Sequence, residues 1–178
     1  MSRRSVVFVL SVALGVLLVP RALSAGVDEG TARFVPWSGS YWPIREGELI
    51  RGPLRKYDQA TGRRAAAWEM DTNPPSPDVP EWYGYCHAWA AAAVIDREPV
   101  SPIVAQGVHG QSIQLGVGDQ KGMLTACHTN DIAQHYGVRF EGEPSEDLQD
   151  IYPDELWRAL KLYVKQRGVP LIVDIEAG

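Results

Sequence analysis

The chain has 178 residues, 45% of them hydrophobic and 22% charged, which suits one globular domain and excludes a disordered or fibrous protein. Seventeen Lys and Arg against 22 Asp and Glu give a net charge of −5, without the basic footprint that nucleic-acid binding needs. Two cysteines are too few for a disulfide-dense scaffold and lack zinc-site spacing, leaving one bridge or a reactive thiol.

Taken in chain order, Arg3 and Arg4 precede an apolar run from Val6 to Val19, and Ala22-Leu-Ser-Ala25 offers small residues for a signal peptidase. Residues 1–25 therefore read as a cleaved secretory signal, with a twin-arginine route as the minor alternative. The run is shorter than the roughly 20 residues a membrane-spanning helix needs, so the exported part, 26–178, is expected free of the membrane and secreted or periplasmic. Without Arg3, Arg4 and Arg21 it carries 14 basic against 22 acidic residues, and an anionic lipid surface would not attract a net charge of −8.

Phe34 to Pro43 sets Trp37, Tyr41 and Trp42 among Gly, Ser and Pro, the composition of an irregular arm whose rings pack on something larger. Tyr57 to Met70, rich in Ala and Arg, predicts a short helix. It ends at Thr72 to Pro80, where four prolines impose an extended surface loop. Cys86 to Ile95 is built from helix formers with almost no polar face, so it predicts an interior helix, launched at Gly84 and limited by Pro99. Thr129 to Gln134 predicts a helical turn. Asp154 to Gln166 predicts a helix started by Pro153 and closed by Gly168, with Leu156, Leu160 and Val164 four residues apart. Val169 to Ile175 follows as a buried strand. The acidic run Glu141, Glu143, Glu146, Asp147, Asp150, Asp154 and Glu155 suits a solvated loop leading into that helix, since carboxylates favour a helix N-terminus. No cofactor is required. A calcium ion is the alternative for these carboxylates, without the usual loop pattern.

A cysteine at the opening turn of a buried helix meets unpaired backbone N–H groups and the positive end of the helix dipole, which stabilise a thiolate. Cys86 is thus the candidate nucleophile, and its own N–H can serve the oxyanion formed when a thiolate attacks an amide. The competing reading is a structural Cys86–Cys127 disulfide. His87 is rejected as the base because adjacent helical residues point about 100° apart. His109 lies in a Gly-rich loop. His128 and His135 remain by elimination, with His128 the base if the site is complete within this chain, and Asp131 or Asp174 as orienting acids. Trp82, four residues before Cys86, is a candidate oxyanion donor through its indole N–H, packing being the competing role; Trp89 points into the helix packing.

The block Trp82-Tyr-Gly-Tyr-Cys86-His-Ala-Trp-Ala90 resembles the active-site motif of the transglutaminase elicitor family. The resemblance extends to Ser40-Tyr-Trp-Pro43, Glu98-Pro-Val100 and Leu171 to Gly178, and so covers most of the exported chain. It implies an α+β, papain-like (Mac-1-like) cysteine-enzyme fold around a central Cys-bearing helix, of which this chain holds the amino-terminal half. It implies a secreted acyl transferase whose Cys86 nucleophile forms a thioester with a protein glutamine and passes the acyl group to a lysine. Family members continue past Leu171 to Gly178 into a half expected to carry the catalytic histidine and acid, so the chain is expected to be incomplete. Cys127 has no family counterpart. A thiol protease is the closest rival, and a non-catalytic exported binding or elicitor module with a Cys86–Cys127 bridge is the rival from another class.

Overall fold

The computed structural model describes residues 27–137 and 151–173. The signal segment, most of the acidic run and Asp174 to Gly178 lie outside them. The architecture is α+β: five α-helices and one two-stranded antiparallel sheet among the described residues.

Residues 34–43 form the expected irregular arm, in which Trp37 is buried and Tyr41 exposed. Trp42 adopts a left-handed backbone (φ 49°), unusual for a residue with a Cβ. A π-helical stretch, Ile50–Leu54, runs straight into α1 (Arg55–Thr61). Pro53 has no N–H to give, and its ring crowds the turn before it, which suits a widened coil.

The single helix expected over Tyr57 to Met70 is two. Gly62 turns left-handed (φ 71°) and closes α1, after which α2 (Ala65–Thr72) begins. Asp58 drives the break from within α1: its carboxylate accepts the first amides of α2, Ala65 N–H at 2.7 Å and Ala66 N–H at 3.0 Å. The proline segment then runs as a loop to α3 (Cys86–Ile95).

After α3 comes a hairpin: β1 (Ile103–Gln106) pairs with β2 (Ser112–Leu115), with Ile103 opposite Leu115 and Gln106 opposite Ser112. Alternation puts Ile113 and Leu115 in the core. The hairpin leads into α4 (Val117–Cys127), where Asp119 reaches back to the Gly116 N–H at 2.8 Å and also takes the Lys56 ammonium at 2.6 Å. Gly122 lets α4 cross the π-helical stretch, because a Cβ there would press into the Pro53 ring.

The expected helical turn at Thr129 to Gln134 does not form. His128 to Asn130 make a turn, and irregular chain follows. The last helix is as expected in extent: α5 (Pro153–Ala159) passes into a π-helical stretch, Leu160–Gln166, and Gly168 closes it at φ 65°. Asp154 and Glu155 occupy its first turn. The buried strand expected from Val169 is absent over the described part, where Val169, Ile172 and Val173 are exposed. Apolar composition alone suggested that strand, and among the described residues no neighbouring strand hydrogen-bonds with it. Among the described residues no helix is long and apolar enough to cross a membrane.

Two apolar clusters hold α3. Near its start, Tyr85 and Ala88 pack with Ile44, Leu49 and Leu54; near its end, Ala92 and Ala93 pack with Trp37, Trp89 and Leu124. The helix is therefore interior on one side only, since Cys86, His87 and Ile95 are exposed.

Candidate active site

Cys86 opens α3 as expected, and the segments on either side of it explain its placement. Residues 41–44 and 81–85 run antiparallel in a miniature ladder. The Tyr85 N–H donates to the Tyr41 carbonyl at 2.5 Å and the Ile44 N–H to the Tyr83 carbonyl at 3.2 Å, with Pro43 bridged to Gly84. Gly84 permits this approach, because a Cβ there would run into the Tyr41 carbonyl oxygen. The Ser40-Tyr-Trp-Pro43 and Trp82-to-Cys86 blocks are thus one structural unit, although about 40 residues separate them in sequence.

From that unit the chain turns into α3 through Tyr85 (φ −97°, ψ 35°), whose carbonyl accepts the Trp89 N–H at 2.9 Å. Among the described residues no acceptor takes the Cys86 N–H, and no hydrogen bond links its Sγ to an imidazole. The thiol is exposed and free; Cys127 is also exposed and free, so the alternative disulfide is not formed. Trp82 and Tyr83 stand exposed beside the turn in an edge-to-face pair, centroids 5.7 Å apart. Trp89 packs inward as expected, its ring near Gly39 and its Nε1 buried without a partner.

Behind the turn lies a residue that sequence reasoning missed. Glu69, on α2, is buried and accepts the Tyr85 hydroxyl and, at 2.9 Å, the Asn73 amide. Burial raises its pKa above the ordinary carboxyl value, and the Asn73 hydrogen bond only partly opposes this. Nothing in Ala65-Ala-Ala-Trp-Glu69-Met-Asp-Thr72 distinguishes this acid from a solvated one.

His128 is not placed to serve Cys86. It follows α4, with Nε2 2.9 Å from Asp96 and Nδ1 2.5 Å from Asp131. Asp96 caps the far end of α3, so at 1.5 Å per residue the imidazole sits about 15 Å from the thiol along the helix axis. Partial burial disfavours its charge, but the hydrogen bonds from Asp131 and Asp96 outweigh this and hold its pKa above the ordinary 6.5. Both ring nitrogens are engaged, which makes His128 a clamp rather than a base. Asp131 does orient an imidazole, as expected, though at this distance from the Cys86 thiol. His109 lies in the hairpin turn and His135 in irregular chain, both exposed.

An open groove of about 620 Å³ lies beside Trp42, lined also by Glu46, Arg51 and Asp119; Cys86 does not line it. What stands out at Cys86 is the turn itself: an exposed thiol with an unpaired amide, on an α+β scaffold, flanked by two aromatic rings.

That turn lies within the match to known proteins. The family described as Transglutaminase elicitor matches residues 76–157, which include the Trp82-to-Ala90 block, all of α3, the hairpin and α4. The likeness to the transglutaminase elicitor family thus covers this region, somewhat less than half of the chain. No curated protein and no solved structure matches the chain.

Proposed function

We propose that the protein is an exported cysteine acyl transferase of the transglutaminase type, with a papain-like arrangement in which α3 is the central helix. The observation that carries this is the free, exposed Cys86 at the first turn of α3, inside the family match. The Cys86 thiolate attacks the carboxamide carbon of a protein glutamine, and the Cys86 N–H and Trp82 indole receive the oxyanion. Ammonia leaves with the proton taken from the thiol, giving a thioester. A lysine amine then attacks, the Cys86 thiolate departs, and an isopeptide bond remains. Water in place of the amine gives deamidation. His128, engaged with Asp96 and Asp131 at the other end of α3, is not the base that moves these protons.

That last observation also favours a second reading, a non-catalytic elicitor that keeps the scaffold without the chemistry. Incubation with a glutamine peptide and a labelled primary amine separates the two. Acyl transfer predicts incorporation that Cys86→Ala abolishes. No incorporation by the parent protein, or equal incorporation by both, overturns it.

A further inference from the structure

Glu69 is the one buried carboxylate among the described residues, 4% exposed, and no Lys, Arg or His among them pairs with it. Its partners are two neutral groups, the Tyr85 hydroxyl and the Asn73 amide. A carboxyl in such a place is costly to desolvate, and its two neutral partners offset that cost only in part. Stability therefore does not account for it.

Its partner does. Tyr85 is the residue whose backbone starts α3, and it is tied at two points: its amide to the Tyr41 carbonyl and its hydroxyl to Glu69. The Tyr85 ring packs with Ile44, Leu49, Leu54 and Ala88, beside a space of only about 10 Å³. The bond to Glu69 adds a directional tie that fixes where its hydroxyl points.

We propose that Glu69 is a positioning residue for Cys86: its carboxyl oxygen holds the Tyr85 hydroxyl and, through it, the backbone turn that orients the thiol and the free Cys86 amide. This rests on Cys86 being the nucleophile proposed above, and its test needs no acyl donor.

In the full chain carrying Cys127→Ser, so that a single thiol reports, the rate of Cys86 alkylation by iodoacetamide and the melting temperature are measured for Glu69→Leu, Glu69→Gln and Tyr85→Phe. Glu69→Leu leaves the buried Tyr85 hydroxyl without its acceptor and is expected to melt below the parent, yet to alkylate about tenfold more slowly at a temperature where both are fully folded, because a reacting group out of position loses rate beyond the loss of stability. Tyr85→Phe should slow alkylation likewise, and keeps the test available if Glu69→Leu does not fold. Glu69→Gln retains an acceptor oxygen and should stay within about twofold of the parent. Parental rates in Glu69→Leu and Tyr85→Phe overturn the proposal, as does a rate that falls only in step with the melting temperature, or a Glu69→Gln rate as low as that of Glu69→Leu. If these rates behave as expected while amine incorporation is absent, the acyl-transfer chemistry fails and the positioning role stands.

Discussion

The two ends of α3 are built on different physics. At the Cys86 end the helix is held from behind, by the backbone ladder to residues 41–44 and the neutral bonds of Glu69, and the front of the first turn is left with a free thiol and a free amide. At the Asp96 end charge closes everything. His128 bridges Asp96 and Asp131, Lys121 reaches Glu98 at 2.6 Å and the Ser38 carbonyl at 2.5 Å while lying over the Trp37 ring, and the Trp37 indole donates to the Asp96 carbonyl. Cations at a helix C-terminus also answer its dipole. The contrast teaches that one helix can be anchored firmly at its spent end so that its reactive end needs few ties of its own.

The comparison is broken most severely at Gly84. Gly84→Ala forces a methyl into the Tyr41 carbonyl, and a backbone atom cannot yield as a flexible side chain would. A loss of about 3 kcal/mol is expected, read as a drop in thermal midpoint with slowed or lost Cys86 alkylation.

At the other end, His128→Ala is expected to cost about 2 kcal/mol at pH 6 by leaving Asp96 and Asp131 without their shared cation. The pH dependence has a definite sign. A histidine whose pKa is raised in the folded state contributes fully below its unfolded value of 6.5, and the contribution fades as pH rises through the raised value. Thermal midpoints of the wild type between pH 6 and 9 should carry a downward component that His128→Ala removes, with no change in Cys86 alkylation at pH 6.

Lys121→Ala is milder, about 1 kcal/mol in urea unfolding, since Trp37 keeps its own indole bond to Asp96 and its packing on Ala92 and Ala93. The smallest stability effect belongs to Trp82→Phe. The exposed ring should contribute less than about 0.5 kcal/mol, whereas loss of an oxyanion donor lowers kcat for amine incorporation about a hundredfold. Unchanged kcat with unchanged stability removes Trp82 from the chemistry.

Features set by neighbours in sequence were legible: the start of α3, the proline loop, the aromatic arm and the limits of the last helix; Gly84 was expected for the turn into α3, but its requirement comes from the distant Tyr41 carbonyl. The hairpin left a trace that went unread, the alternation of Ser112-Ile-Gln-Leu115 after the Gly-rich turn at 107–110. What escaped depends on chain segments meeting from afar. Glu69 meets Tyr85 across 16 residues and His128 meets Asp96 across 32, and neither acid differs locally from a solvated one. Elimination put His128 forward because it ranked residue types without their positions. The expected strand at Val169 failed for a related reason, since a strand is made by its partner as much as by its own side chains.

Trp42 sets two requirements against each other in a single residue. Its backbone occupies the left-handed basin, where glycine would relieve a strain of about 1–2 kcal/mol, yet its indole reaches Gly122 and packs on the cluster around Ile44, where deleting so large a ring costs about 3–5 kcal/mol. Glycine in its place would relieve the backbone and cost more in packing than it gains. The kink that delivers Pro43 to Gly84 is thus wedged open by a side chain whose own bulk makes that bend unwelcome.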